Sequence, residues 1–356
     1  MNYQIKSLDQ IILQKIQSQK KISFQEFMEL CLYNPGLGYY SRVSPFQDYY
    51  TNVDVPYFAQ ILSKIFYKLW QEEFKNKTDF KIIELGSGEG KLAKKILETI
   101  KKELPDFYEK LHYIGIERSS TRLKMCEELS ALFPKKIEFL SEFNYKENSV
   151  AGIIFSNEFF DALPVRRIFK KENKIFEIFI VKNLKELLMP PSKEVMEYLL
   201  WLGSEPKEGC FGEAHIESRA WIRKLCKSLK EGALLTIDYG FETEELYSDF
   251  RKEGTLLCHF NHQTNRDFYC NLGKQDITSH INFSTLMKEA DNWNVKTIAF
   301  KTQSQFFIEN GLEKFIEEIP MIQEPKDRLR MTSSLKTLIH PEGMGGTFKV
   351  LLQKKF

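Results

Sequence analysis

No stretch of this chain approaches the roughly 18 consecutive apolar residues that a helix needs to cross a bilayer, so no membrane span is expected. Nor is an apolar leader expected: Ile11-Ile12-Leu13 is hemmed in by Gln, Lys and Asp. No arginine precedes Arg42, which argues against an Arg-rich transit peptide. The cysteines Cys31, Cys126, Cys210, Cys226, Cys258 and Cys270 contain no Cys-x-x-Cys pair. Without a secretory context they are expected to be free thiols in a reducing compartment, the cytoplasm. Cys258, His259, His262, Cys270 and His280 are zinc-type ligands, but their spacing lacks any compact Cys-x-x-Cys or His-x3-His pattern, so no metal is expected. Charge of one sign is missing too. Lys+Arg 51 against Asp+Glu 49 leaves a net +2, no global field for nucleic acid or an anionic membrane. Internal repeats and low-complexity linkers are absent.

What remains is a packed globular chain: 42% hydrophobic and 13% aromatic over 356 residues, enough for one large domain or two modest ones. Residues 3–20 place Ile5, Leu8, Ile12 and Ile16 at helical spacing, suited to packing on the domain or against a second copy. Ser23 with Glu26 forms a capping box for a helix to Tyr33, which Asn34-Pro35-Gly36 stops. A loop follows to Thr51, then a helix from Tyr57 to Phe74. From Lys81 strands and helices alternate: strands at 81–85, 112–116, 137–139 and 151–156, helices at 92–102 and 121–132. That alternation predicts βαβ crossovers and a doubly wound, mostly parallel α/β sheet. Val165 to Phe169 and Lys174 to Val181 read as an inserted hairpin, followed by helices near 192–202 and 218–229. Ala233 to Ile237 is a fifth strand, and 295–300 with 347–352 a closing antiparallel pair. The expected organisation is an N-terminal helical extension and lid over 1–75, then a Rossmann-like domain over 76–356. Its insertions lie at about 165–230 and 241–290, read as elaborations of one core.

The first strand runs into Glu84-Leu85-Gly86-Ser87-Gly88-Glu89-Gly90. Glycine is needed there because a tight turn must approach a ligand without Cβ atoms in the way. The loop follows a strand and opens a helix, the context that gives such a motif meaning. Glu117 closes the next strand, placed to hold a ribose diol. A dinucleotide fold is the competing reading, but Lys91 stands where its third glycine would fall, and Glu84 and Glu89 would repel a pyrophosphate. The same acids suit a cationic sulfonium carrying an α-amino group, so S-adenosylmethionine is the expected cofactor. The spacing from Gly90 to Glu117 exceeds the usual ~20 residues; an extension at Leu104-Pro105-Asp106-Phe107 would account for it.

Ordered matches then run along most of the chain. Ile22-Ser23-Phe24 through Met28, Leu32-Tyr33-Asn34-Pro35, Gly38-Tyr39-Tyr40, the glycine loop, and Glu117-Arg118-Ser119 come first. Ser156-Asn157-Glu158-Phe159-Phe160-Asp161-Ala162-Leu163-Pro164 is the most specific of them. Ile237-Asp238-Tyr239-Gly240, Gly254-Thr255-Leu256, His262, Gln275-Asp276-Ile277-Thr278 with His280 and Phe283, and Gly343-Met344-Gly345 follow. In these segments the chain resembles the MidA-like methyltransferases, whose mitochondrial relative is an assembly factor for respiratory complex I. The resemblance implies a class I methyltransferase fold and methylation of a protein arginine, the activity of that mitochondrial branch. Departures are Gln47-Asp48-Tyr49-Tyr50-Thr51 in place of Gly-Asp-Phe-x-Thr, Lys95 in place of an aspartate, and Asn282 where aspartate is common.

The candidate cofactor set is Glu84, Gly86, Ser87, Gly88, Gly90, Glu117, Arg118, Ser119 and Asn157, with Tyr40 and Thr51, beside Tyr39 and Asp48, as a lid. The candidate catalytic set is Glu158, Asp161, Asp276 and His280. In an open α/β sheet the ligand lies beyond the carboxyl ends of the strands, so Asn157 to Asp161 faces the transferred methyl group. Glu158 would clamp a guanidinium fork and take its proton, while Phe159 or Phe160 excludes water. Asp161 either assists or caps a turn, and the phenylalanines either wall the site or fill the core. His280 either orients a carboxylate and accepts a proton near neutral pH or is structural. Glu217, Asp238 and His262 stay open between site and scaffold. The expected acceptor is an arginine-bearing protein subunit of a larger assembly. A different acceptor, or a cofactor-binding assembly factor without catalysis, are the rival readings.

Overall fold

Strands form where β-branched residues cluster. Phe80–Leu85 (β1), Leu111–Ile116 (β2), Ile137–Leu140 (β3) and Val150–Asn157 (β4) are short and mostly buried, as parallel strands covered on both faces should be. Leu229–Phe241 (β5), Lys296–Thr302 (β6) and Phe348–Lys355 (β7) complete the order β6-β7-β5-β4-β1-β2-β3. Neighbours are parallel from β5 through β3, and β7 runs antiparallel to both β5 and β6. This is the doubly wound sheet with an antiparallel closing strand that the alternation predicted. In this computed structural model residues 7–42, 51–75 and 80–356 are described. Ile5, Gln47, Asp48, Tyr49 and Tyr50 lie outside the described residues.

The sheet's close packing is visible at two glycines in register. A Cβ on Gly152 in β4 would lie 2.0 Å from the Lys81 carbonyl oxygen, and one on Gly232 in β5 1.9 Å from that of Gly152. No side chain fits at either place. Helix Phe58–Glu73 (α1) buries Phe58, Ile61, Leu62, Ile65, Phe66 and Leu69, a stripe at three- and four-residue spacing. Helix Lys91–Glu103 (α2) buries Leu92, Ala93, Ile96, Leu97 and Ile100 against the same core as β1 and β4. Each such aliphatic or aromatic side chain contributes about 1.5–3 kcal/mol on burial. A short helix, Pro105–Lys110, follows α2 and supplies the extra spacing before Glu117.

The chain divides into two compact units, and the division differs from the expected boundary at residue 75. One unit holds residues 51–159, Arg223–Tyr239 and Ala290–Phe356, within the described residues, and therefore contains the sheet and α1. Helix α1 belongs there because its apolar stripe is part of that core. The other unit gathers residues 7–42 with Phe160–Ile222 and Gly240–Glu289, so the expected insertions form a body of their own with the N-terminal helices. There the predicted hairpin, Arg166–Lys171 and Lys174–Val181, is the middle of a larger antiparallel sheet. Ile22–Ser23 and Lys185–Met189 pair with its second strand and Phe211–Ala214 with its first. The helix Leu8–Gln19 begins at a Ser7–Gln10 capping box, and Phe24–Tyr33 at the predicted Ser23–Glu26 box. No helix among the described residues is long and apolar enough to cross a membrane.

Candidate active site

The glycine loop leaves β1 with three residues in the left-handed region: Gly86 at φ 69°, Gly88 at 57° and Gly90 at 75°. Gly90 is the residue before α2, and a Cβ there would meet Leu129 at 2.7 Å and Phe139 at 3.0 Å. The loop is tied to β2 by backbone bonds from Gly86 N–H (2.9 Å) and Ser87 N–H (3.0 Å) to the Ile116 carbonyl. Glu117 then bridges both strand ends. Its Oε2 accepts the Gly88 N–H at 2.9 Å and its Oε1 the Ser119 N–H at 2.7 Å. A carboxylate offers about four lone-pair sites, so a diol hydroxyl can still be accepted. Burial raises the Glu117 carboxyl above its ordinary range, and the Ser119 N–H and then the Arg122 charge offset only part of that rise. Ser119 also caps the helix Ser120–Met125, whose Arg122 reaches toward Gly88. Arg122 was not singled out in the sequence; only its neighbourhood in space marks it. Arg118, beside Glu117, is exposed.

Whether these residues suit a cationic cofactor can be tested on what they leave unmet. Ser87 Oγ is buried with no hydrogen-bond partner among the described residues, a polar atom waiting at the mouth of the cradle. Gly115 keeps it there, since a Cβ on that residue would stand 2.8 Å from Ser87 Oγ. Glu84 lies beneath, almost wholly buried, its Oε2 accepting a hydrogen bond from Tyr113 Oη at 2.8 Å. Burial pushes its carboxyl from 4.5 up to about 8; Tyr113 opposes the shift and the Glu117 charge adds to it. A sulfonium or ammonium nearby favours the ionised form and recovers part of that penalty. The donor set is compatible with the expected S-adenosylmethionine: glycines would allow its approach, Glu117 would accept from the ribose, and Ser87 and Glu84 would meet polar and cationic parts.

The Glu84 shift carries a sign. In the folded chain without cofactor the carboxyl holds its proton to about 8, whereas the unfolded chain releases it near 4.5. The unfolded state thus binds fewer protons within that window, and stability falls as pH rises through it. Glu84→Gln should match the wild-type melting temperature near the lower limit and exceed it increasingly toward the upper one. Thermal melts of cofactor-free protein across the window check this; a constant offset would mean that Glu84 does not titrate there.

At the end of β4 the backbone is held in a strained state. Glu158 adopts φ 52°, sparsely populated for a residue with a Cβ. Its N–H bonds the Ile237 carbonyl at 3.0 Å, and the next N–H, of Phe159, bonds Asp238 Oδ2 at 3.2 Å. Asp238, fully buried at the end of β5, therefore holds the turn that presents Glu158. Phe159 lies against the cofactor loop, its Cδ2 3.1 Å from where a Gly86 Cβ would be. Glu158 Oε1 accepts the Asn157 amide Nδ2–H at 2.9 Å and the Asn52 backbone N–H at 3.2 Å. Asn52 Nδ2 donates in turn to Asn157 Oδ1 at 3.1 Å. Thr51 and Asp54 cap this turn reciprocally, so the Thr51 hydroxyl donates to Asp54 Oδ2 at 3.0 Å. Lys95 Nζ, from α2, pins the Val53 carbonyl at 2.5 Å. Asn52 carries no sequence signal of its own and was missed; Lys95 appeared only as a departure.

The remaining predicted residues lie in the other unit. Tyr40 Oη donates to both oxygens of Asp276, at 2.9 and 2.8 Å, so these two come together. The Asp161 backbone carbonyl accepts the Ser279 N–H at 3.0 Å, and the fully buried Phe160 packs in the core. Tyr39 is buried too, with its ring edge-on to Tyr40. His280 lines a cavity of about 400 Å³ with Arg251, Thr255 and Arg266. Burial first, then the charges of Arg251 and Arg266, push its pKa down to about 4. It is therefore neutral at physiological pH, the form that can still orient a carboxylate. Glu217 accepts a bond from Gln25 Nε2 at 2.8 Å, and His262 sits at φ 62° in the turn between the strands Leu257–Phe260 and Gln263–Asn265. Among the described residues no group of three or more His, Cys, Asp and Glu gathers as metal ligands do.

Comparison with known proteins finds methyltransferases. A sequence profile described as "Putative S-adenosyl-L-methionine-dependent methyltransferase" matches residues 61–300. The chain is 24% identical to the protein arginine methyltransferase NDUFAF7, mitochondrial, of Danio rerio, across 97% of this chain and 86% of that protein. It is 23% identical to the Homo sapiens protein of the same name, across 95% and 81%. Among solved structures, one from Burkholderia thailandensis bound to S-adenosyl-homocysteine is similar at TM-score 0.84 and 27% identity, covering 98% of this chain and 92% of that one.

Proposed function

The chain belongs to the S-adenosyl-L-methionine-dependent methyltransferase family matched over residues 61–300, and from that premise we propose that it methylates an arginine side chain of a protein subunit in a larger assembly, of the respiratory complex I type by resemblance. The observation that carries this reading is Glu158, held in a strained turn by Ile237, Asp238, Asn52 and Asn157 at the carboxyl end of β4. Strain that so many neighbours maintain points to a geometry kept for function. S-Adenosylmethionine supplies an electrophilic methyl on a positively charged sulfur. The acceptor nitrogen forms the new N–C bond as the S–C bond breaks, the electron pair leaves with sulfur, and the nitrogen sheds a proton. A guanidinium is protonated in solution and presents five N–H donors in a plane. Glu158 accepts from that fork, aligns one nitrogen, and is the base within reach for the proton. Phe159, packed on the glycine loop, keeps water from that face. The names of the relatives agree with an arginine acceptor.

Incubating the protein with methyl-labelled cofactor and a lysate of its own source tests the acceptor class. The expected outcome is a labelled protein band that needs the intact chain. Label confined to small molecules would give the chain another acceptor, and no label despite S-adenosylhomocysteine binding would make it a binding module.

A further inference from the structure

Asn52 is fully buried, and the direction of its amide is set by its neighbours rather than by choice. Glu158 Oε1 accepts two N–H groups, one of them from Asn157 Nδ2. Asn157 must therefore turn its Oδ1 to Asn52, and Asn52 must present Nδ2 to it. Flipping either amide would set two acceptors or two donors face to face. The end left over is Asn52 Oδ1. It is buried and has no hydrogen-bond partner among the described residues, although the turn carrying it is fixed by the Thr51–Asp54 cap and by Lys95. A rigidly held, buried carbonyl without a partner is a costly feature that a folded protein retains where something else completes it. The relay strengthens it as an acceptor, because each donated bond polarises the next amide.

We propose that Asn52 is a specificity-determining residue whose Oδ1 accepts a hydrogen bond from an N–H of the methyl acceptor. The acceptor group then meets two acceptors, the Asn52 carbonyl and the Glu158 carboxylate, and supplies hydrogens to both. A guanidinium does so. A hydroxyl, a thiol or a carbon acceptor lacks the second hydrogen and leaves Oδ1 buried and unmet. The loss on mispairing, rather than the gain on pairing, is what discriminates. This inference rests on the reading of Glu158 as the clamp of a nitrogen acceptor, and its test separates the two.

N-acetyl-arginine amide is titrated into the full chain saturated with S-adenosylhomocysteine, comparing wild type with Asn52→Leu, Asn52→Asp and Glu158→Gln. Asn52→Leu, close in size without the carbonyl, should weaken the probe about tenfold. Asn52→Asp keeps an acceptor oxygen but sets its other oxygen against Asn157 Oδ1, so it should weaken the probe less than Asn52→Leu does, and S-adenosylhomocysteine affinity should stay within about threefold throughout. Should Asn52→Leu fail to fold, Asn52→Ala carries the same expectation. Wild-type probe affinity in Asn52→Leu together with its loss in Glu158→Gln overturns the role of Asn52 and leaves the clamp standing. Unchanged affinity in all variants overturns both. Lost S-adenosylhomocysteine binding in Asn52→Leu assigns Oδ1 to the cofactor and also overturns the proposal.

Discussion

Glu158→Gln should slow methyl transfer about a hundredfold or more while S-adenosylhomocysteine binds within about threefold of wild type, because a positioned base and clamp contributes on the order of 10²–10⁴ in rate. Glutamine keeps the size of the side chain and can still accept through its oxygen from Asn157 and Asn52. What it loses is the negative charge facing the guanidinium and the ability to take the proton. Charge-assisted bonds are roughly twice as strong as neutral ones, so the clamp weakens as well. Single-turnover transfer to the labelled acceptor, with calorimetry of S-adenosylhomocysteine alongside, distinguishes the effects. A variant with wild-type rates would show that Glu158 only shapes the turn.

Glu117→Leu should lower S-adenosylhomocysteine affinity at least about a hundredfold, since two hydrogen bonds to a charged group are worth about 1.5–3 kcal/mol each. The loss has two parts. The variant removes the acceptor for a ribose diol, and it strands the Gly88 and Ser119 N–H groups that now bond the carboxylate. Glu117→Gln, which preserves one acceptor, should fall between. The sheet does not depend on this side chain, so the melting temperature without cofactor should shift far less than the affinity. Equal losses in both would mean that Glu117 serves folding alone.

Much of this site can be read in sequence because local chemistry sets it. The strand at Phe80–Leu85 and the loop after it are specified by β-branched residues running into glycines at 86, 88 and 90, each of which does adopt positive φ. The helix at Phe24–Tyr33 is announced by its capping box. The closing antiparallel strands show by their apolar character. Long-range pairing is what sequence conceals. Ile22–Ser23 is only two residues long, and nothing local says that it pairs with Ile180 and Phe179. Hence the body built from three distant segments was read as an extension plus insertions. Helices after Thr302, the short Gln303–Phe307 and the 15-residue Pro325–Ile339 among them, were overlooked for want of a strong apolar period. Asn52 is the sharpest case: an asparagine in a turn is ordinary until Asn157 and Glu158 are seen beside it.

On the proposed reading, the acid-lined bend and the Glu158 clamp direct the methyl group to one kind of atom, an arginine nitrogen. Acid hydrolysis of the acceptor labelled by this protein, with separation of the resulting amino acids, reads that atom directly. The account predicts that the label co-migrates with Nη-methylated arginine and vanishes when Glu158→Gln replaces the wild type. Label recovered on lysine, or released as volatile methanol from a carboxyl ester, would contradict it.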